Sequence, residues 1–197
     1  SHEGYSIVPF TSTEYPDGLK EVADPPIVLF GRSEWPARKS PLAVVRTRKP
    51  TGYGRDFCRR LAVELSAFPI NFVSGLALGI DAAIHREALD MGATTTALLA
   101  GGLKAISPKR HTVLARELVD EGGGYWTEQP FDQAPLKQLF PVRNRLIAGA
   151  SMATFVVEAA RRSGALITAQ QAFDYGREVY ALPGALFQPM SAGPNAL

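Results

Sequence analysis

The chain has 197 residues, of which 46% are hydrophobic and 20% are charged, and this composition predicts one compact globular domain. It excludes a disordered tail and a collagen-like repeat. The 18 glycines and 15 prolines are too many for a helical bundle and favour a mixed α/β fold with many tight turns. The net charge is only +2, from 21 basic and 19 acidic residues, so no strong overall field demands a polyanionic partner.

The only cysteine, Cys58, excludes an intramolecular disulfide and a cysteine-cluster metal site. Its spacing relative to Phe57, Leu61, Ala62 and Leu65 is typical of the buried face of a helix, so we interpret it as core packing. A lone cysteine favours a reducing compartment, and no apolar run approaches the roughly 18 residues that span a bilayer. We therefore expect a cytoplasmic protein without a membrane partner.

Strands and helices alternate along most of the chain. Residues 1–26 are polar and rich in turns, and we interpret them as an N-terminal extension. Ser1 and His2 are candidate cloning remnants. We interpret residues 27–197 as one domain. Apolar runs predict strands at residues 27–30, 42–46, 71–73, 94–100, 125–127, 154–158 and 178–182. Amphipathic spacing predicts helices at residues 53–67, 81–91, 108–119, 141–150 and 164–175, with Pro141 at the first helical position. This alternation predicts a doubly wound, mostly parallel sheet with helices on both faces.

Four of the strand-to-helix turns are rich in glycine, hydroxyl or basic groups, at residues 47–54, 74–79, 101–108 and 161–168. A parallel sheet binds ligands at the carboxyl ends of its strands, where these turns are expected. Backbone N–H groups at helix starts bind anions, and glycine lets a phosphate approach the backbone closely. An anion site and ordinary connections both remain open as interpretations.

Basic residues are concentrated in two stretches of the chain. Residues 32–60 contain nine basic and two acidic side chains, and residues 137–162 contain five basic and one acidic side chain. Arginine outnumbers lysine fifteen to six, and guanidinium groups bind phosphates bidentately and stack on bases. These stretches are candidates for a polyanion-binding surface, although solvated arginines would produce the same pattern.

Several sequence motifs of nucleotide-binding proteins and enzymes are absent. No Gly-x-Gly-x-x-Gly opens a helix, no Gly-Lys pair exists for a Walker loop, and neither His-Glu-x-x-His nor Gly-x-Ser-x-Gly occurs. We therefore expect no cofactor, no metal site and no catalytic residue.

Three segments stand in a specific order along the chain. They are Ser-Gly-Leu-Ala-Leu-Gly-Ile-Asp at residues 74–81, Phe-Pro-Val-Arg-Asn-Arg at residues 140–145 and Ser-Gly-Ala-Leu-Ile-Thr at residues 163–168. In this order they resemble the DNA-processing protein A family, also called DprA or Smf, bacterial proteins of natural transformation and recombination. The resemblance implies an extended Rossmann-like core that binds single-stranded DNA, forms a homodimer and helps to load a RecA-type recombinase.

The resemblance also implies which residues contact DNA. Arg48 matches the family arginine that binds a phosphate. Lys137 and Phe140, three residues apart, match the family lysine and aromatic residue, which supply a charge and a stacking surface. The other implied contacts are Ser74, Gly75, Arg143, Asn144, Arg145, Ser163, Gly164 and Thr168. Structural roles remain open for several of them: a core position for Phe140, bonds to loop carbonyls for the arginines, and helix capping for the hydroxyl residues.

Arg46 stands where the family usually has glycine, and its side chain would either fill the phosphate pocket or add a cation. Two alternatives to DNA binding remain open at this point. One is a nucleotide-binding enzyme or sensor of the phosphoribohydrolase type, in which Glu158 and Arg162 would lie near the chemistry. The other is a chain that has lost DNA binding and retains only dimerisation or partner contacts.

Overall fold

The computed structural model describes residues 4–47 and 50–197, with the side chain of Arg46 outside the description. The described strands are β1 (Tyr5–Pro9), β2 (Val28–Arg32), β3 (Ser40–Arg46), β4 (Ile70–Ser74), β5 (Thr94–Leu98), β6 (Gly124–Thr127), β7 (Ala153–Glu158) and β8 (Glu178–Ala181). The described α-helices are α1 (Asp17–Lys20), α2 (Gly52–Leu65), α3 (Ile80–Asp90), α4 (Thr112–Asp120), α5 (Leu139–Gly149) and α6 (Gly164–Asp174).

The strands form one mixed sheet in the order β1-β2-β6-β5-β4-β3-β7-β8. From β6 to β8 the neighbouring strands run parallel, whereas β2 pairs with β6 and β1 pairs with β2 in the antiparallel direction. Strand β3 lies between β4 and β7, so the chain crosses over and places helices on both faces. The predicted α/β, mostly parallel, Rossmann-like fold is confirmed.

Side chains that alternate along the central strands bury both faces of the sheet. Val44 packs in the layer formed with Cys58 of α2 and Ile84 of α3, whereas its neighbour Val45 packs in the layer that contains Leu146 of α5. Cys58 is completely buried, and burial raises the pKa of its thiol to about 12. The interpretation of Cys58 as core packing is confirmed.

The segment before residue 27 contains two elements that the sequence did not predict. Strand β1 pairs with β2 along its whole length, and α1 precedes Val22, which is buried against α5 beside Gly149. The sequence of this edge strand does not alternate between apolar and polar residues, because Ile7, which is 61% exposed, is followed by the buried Val8. A four-residue helix is also too short to show a helical period.

Two predicted helix starts differ from the structure. The helix predicted at 108–119 is divided into a 3₁₀ turn at Lys109–His111 and α4. Helix α5 begins at Leu139, so Pro141 is its third residue and not its first. Proline is tolerated there because the N–H groups of the first turn have no acceptor within the helix. None of the described helices has the length and apolarity needed to cross a membrane.

Candidate functional site

A cleft of about 470 Å³ lies at the carboxyl edge of the parallel strands. Four segments of the chain form it: the end of β3 with the residue after it, the turn from β4 into α3, helix α5 as far as Ile147 with Lys137 two residues before the helix, and the start of α6. Its lining residues are Val45, Thr47, Ala77, Asp81, Lys137, Phe140, Pro141, Arg143, Asn144, Ile147, Ser163, Gly164, Ala165 and Thr168. Seven of the predicted DNA contacts line this cleft: Lys137, Phe140, Arg143, Asn144, Ser163, Gly164 and Thr168.

Lys137 and Phe140 present a charge and an aromatic ring to the cleft. Lys137 is exposed just before α5, and in the described part of the chain its ammonium group forms no hydrogen bond or ion pair. Phe140 is only partly buried, and the guanidinium carbon of Arg143 lies 5.9 Å from the centroid of its ring. A phosphate and a base can therefore be bound side by side at this position.

Arg143 forms the floor of the cleft and is 5% exposed. Its Nη1 donates a hydrogen bond to the carbonyl oxygen of Gly75 at 2.9 Å and another to the carbonyl oxygen of Leu98. A Cβ at position 75 would lie 2.5 Å from that Nη1, so glycine is needed to admit the guanidinium. Arg143 thus links α5 to the ends of β4 and β5, in agreement with the structural role that the sequence left open.

The turn from β4 to α3 is held by a buried carboxylate. Ser74 Oγ donates to Asp81 Oδ1 at 2.7 Å, and the N–H of Ala77 donates to Asp81 Oδ2 at 3.1 Å. Both Ser74 and Gly75 are buried, so they shape the turn beneath the cleft, and the geometry does not support their predicted direct contact with DNA. Asp81 is a site residue that the sequence reasoning did not select, although an acidic residue in the first turn of a helix is a recognisable signal.

The start of α6 faces the cleft without a side-chain cap. Ser163 is the N-cap residue, and its buried Oγ has no hydrogen-bond partner among the described residues. Two groups bind the carbonyl oxygen of Gly164: Thr168 Oγ1 at 3.1 Å and Asn144 Nδ2 at 3.3 Å. The capping bond that the sequence left open for Ser163 is therefore not formed, and the N–H groups of Gly164 and Ala165 have no acceptor within their own helix.

Arg145 lies outside the cleft. Its side chain is 11% exposed and forms ion pairs with Glu128 and with Asp24, at 2.8 Å from Nε to Oδ2 in the latter. Burial raises the pKa of the Glu128 carboxyl, and the charge of Arg145 opposes that shift. Residues two apart on an α-helix are about 200° apart around its axis, so Arg143 and Arg145 point to different sides. The predicted DNA contact of Arg145 is not supported by this position.

Arg48 lies outside the described residues, but the structure describes residues on either side of it. Thr47 lines the cleft, and on the other side of the loop the N–H of Thr51 donates to Glu158 Oε2 at 3.0 Å while its hydroxyl donates to Oε1. A Cβ at Gly54 would lie 2.7 Å from the Glu158 carboxylate, so this glycine admits the carboxylate at the start of α2. Sequence reasoning missed this positioning role of Glu158.

The turn at residues 101–108 does not line the cleft, unlike the other three predicted turns. The N–H of Gly102 donates to the carbonyl oxygen of Gln133 at 2.8 Å, and a Cβ at Gly102 would collide with the backbone of Pro130 and Phe131. The glycines of this turn therefore admit a neighbouring segment of the chain and not a ligand.

The electrostatics of the cleft suit an anion. Lys137 and Arg143 contribute positive charge, whereas Asp81 is 3% exposed and accepts hydrogen bonds from its own turn. Within residues 4–47 and 50–197, no cluster of three or more His, Cys, Asp or Glu side chains is placed to hold a metal ion. The arrangement provides cations, N–H donors and an aromatic ring.

The chain is similar to known proteins over nearly its whole length. The family described as DNA recombination-mediator protein A matches residues 6–197. Protein Smf of Escherichia coli K12 is 42% identical over 194 residues, which are 98% of this chain but only 52% of that protein. The chain thus spans about half the length of this curated relative.

Two solved structures share the fold closely. DNA processing protein A from Streptococcus pneumoniae has a TM-score of 0.91 at 33% identity. The match covers 98% of this chain and 68% of the Streptococcus pneumoniae chain. DNA processing protein A from Helicobacter pylori, whose reported structure concerns its single-stranded DNA binding mode, has a TM-score of 0.87 at 28% identity. The match covers 99% of this chain and 87% of the Helicobacter pylori chain. Since the family pattern extends over nearly the whole chain, this protein belongs to the DNA recombination-mediator protein A family.

Proposed function

We propose that this chain binds single-stranded DNA without base specificity through the cleft and serves recombination and natural transformation as a DNA-processing mediator. The observation that carries the proposal is the meeting, in one cleft, of a partly exposed aromatic ring, a helix start without a side-chain cap and a lysine that has no partner among the described residues. Non-specific single-strand binding needs cations for phosphates and a ring face for bases. The names of the relatives and the DNA-binding mode described for the Helicobacter pylori protein support it.

Each side chain of the cleft has a distinct role in this proposal. Lys137 binds one phosphate, and the N–H groups at the start of α6, with Ser163 Oγ beside them, bind another. Phe140 stacks on a base, and Arg143 holds the floor of the cleft through the carbonyl oxygens of Gly75 and Leu98. We keep Arg48 as a proposed phosphate contact, because it directly follows Thr47 of the cleft lining.

We propose a binding protein and not an enzyme. The nucleotide-enzyme alternative requires Glu158 as a reactive group, but Glu158 is 3% exposed and both of its carboxylate oxygens accept hydrogen bonds from Thr51. We further propose that the chain acts in the cytoplasm and passes the bound strand to a RecA-type recombinase. The description of its family as recombination mediators supports this partner.

Replacing Lys137 with alanine is expected to weaken binding to an oligo-dT strand about tenfold, because one charge-assisted contact to a phosphate is lost. The slope of log K against log salt concentration should fall by about 0.7, the value for one phosphate of a single strand. Fluorescence anisotropy at several salt concentrations measures both quantities.

The matched control is Lys20→Ala, which removes a lysine that forms a surface ion pair with Asp17 on α1. It should leave both the affinity and the salt slope unchanged. Wild-type affinity in the Lys137 variant would refute this assignment, and tighter retention of duplex than of single strand by the unchanged protein would refute the proposed function.

We also propose that two copies of the chain associate along the β8 edge. Phe173 of α6, Tyr180 of β8 and Leu197 border one groove there and are 71%, 48% and 60% exposed. Exposed apolar patches of this kind mark protein interfaces, and a two-fold axis would pair the patch with itself.

Replacing Phe173 with glutamate is therefore expected to convert a dimer into a monomer, because a charge would be buried without a partner. Light scattering coupled to size-exclusion chromatography gives the mass of each species. Val63→Glu, a substitution at a 49% exposed position of α2, is the control and should remain dimeric. A monomeric wild type, or a dimer that is unchanged by Phe173→Glu, would refute this surface.

A further inference from the structure

A second groove, about 640 Å³ and more open, adjoins the cleft at the start of α6. Both concavities are lined by Ser163 and Gly164, so they meet at this turn. We call the second concavity the arginine groove and define it by Arg161, Arg162, Ser163, Gly164, Ile167 and Gln170. Apart from Ser163 and Gly164 of the shared turn, the DNA contacts proposed for the cleft do not line the arginine groove.

The arginine groove carries positive charge that no described residue neutralises. Arg161 and Arg162 are exposed, and neither forms an ion pair or a hydrogen bond within the described part of the chain. Among the described residues no carboxylate lines the groove, and Glu158, three residues before Arg161, is buried and accepts hydrogen bonds from Thr51. Two adjacent unpaired guanidinium groups are suited to successive phosphates of one strand.

The remaining wall of the arginine groove is apolar or neutral. Ile167 of α6 is 47% exposed, and Gln170 follows it one turn later on the same face of the helix. An apolar side chain provides contact area for an unstacked base, and an amide can donate to or accept from any base edge. The groove therefore combines backbone-binding and base-contacting groups, as the cleft does.

The turn between the two concavities leaves space for a strand among the residues that the structure describes. Gly164 has no side chain, and the nearest atom to a Cβ built there, Asn144 Nδ2, is 3.8 Å away. A chain of nucleotides can thus cross the turn close to the backbone, next to the unpartnered Ser163 Oγ.

We propose that a DNA strand bound in the cleft crosses the Ser163–Gly164 turn and continues into the arginine groove, where Arg161 and Arg162 bind its next phosphates. This inference rests on the proposed function, because it extends the path of the same single strand. It adds a subsite that only a strand longer than the cleft can reach.

The test compares oligo-dT strands of about 4 and about 12 nucleotides, which bracket a single subsite and an extended one. The variant is Arg161→Ala/Arg162→Ala, and the matched control is Arg38→Ala/Arg116→Ala, which removes the same charge from exposed positions before β3 and on α4. The affinity for the short strand should be the same in both variants as in the wild type. The long strand should bind the Arg161/Arg162 variant about tenfold more weakly, with a salt slope lower by about 1.4, equal to two phosphates.

Each outcome decides between the proposals. Equal affinity of the wild type and the Arg161/Arg162 variant for the long strand overturns the extended path and leaves DNA binding in the cleft intact. Equal losses on both strand lengths, or in the control variant, also overturn it, because the effect would then be general electrostatics. If the wild type binds neither strand, the proposed function fails, and the extended path fails with it.

Discussion

Replacement of Phe140 by alanine is expected to weaken single-stranded DNA binding by between about fivefold and 150-fold. The physical reason is the loss of one stacked base, which contributes about 1–3 kcal/mol. Phe140 is placed for this role because it lines the cleft, is only partly buried, and lies three residues after the unpaired Lys137. Anisotropy titrations with oligo-dT at one fixed salt concentration measure the effect.

Substitutions that retain or remove the ring separate stacking from packing. Phe140→Tyr should bind within about twofold of the wild type, because stacking requires a ring face and not a particular ring. Phe140→Leu keeps apolar volume without a ring and should resemble the alanine variant. If Phe140→Leu binds normally while Phe140→Ala is both destabilised and weak in binding, Phe140 is a core residue and the stacking role is wrong.

Replacement of Arg143 by leucine is expected to lower the free energy of unfolding by about 2–4 kcal/mol. The change leaves the buried carbonyl oxygens of Gly75 and Leu98 without their donor, and an unsatisfied buried group costs about 1–3 kcal/mol. For a chain of this size the melting temperature should fall by roughly 4–16 °C. Urea unfolding followed by circular dichroism measures the free energy directly.

Two further variants assign the origin of this loss. Asn144→Ala, a neighbouring change in the same cleft, removes two long hydrogen bonds, one to the Gly164 carbonyl at 3.3 Å and one from Arg143 Nε at 3.4 Å, and should cost about 1 kcal/mol. Arg145→Leu should destabilise the fold as well, because it leaves Glu128 buried without its cation, but it should not change DNA affinity in the folded protein. An Arg143→Leu protein of unchanged stability that no longer binds DNA would instead make Arg143 a direct contact.

Local patterns in the sequence predict most of the fold. Each parallel strand is an apolar run, and each long helix has its apolar side chains on one face, so their order predicts the doubly wound sheet without any contact information. Strand β1 and helix α1 escape this reasoning. In β1 the apolar Ile7 and Val8 are consecutive, so the sequence does not alternate although Val8 is buried and Ile7 exposed, and α1 has only four residues.

The sequence by itself determined the fold class and the edge of the sheet at which the candidate cleft lies, because these follow from chain order and from the periodicity of apolar residues. The resemblance to a family selected the motif segments that meet there. The tertiary structure alone decided which side chains of those segments face the cleft. Arg143 and Arg145 are equivalent cations in the sequence, yet one binds the carbonyl oxygens beneath the cleft and the other pairs with Glu128. The reason is that helix phase and partners distant in the chain determine whether a charge is available to a ligand or is already satisfied within the protein.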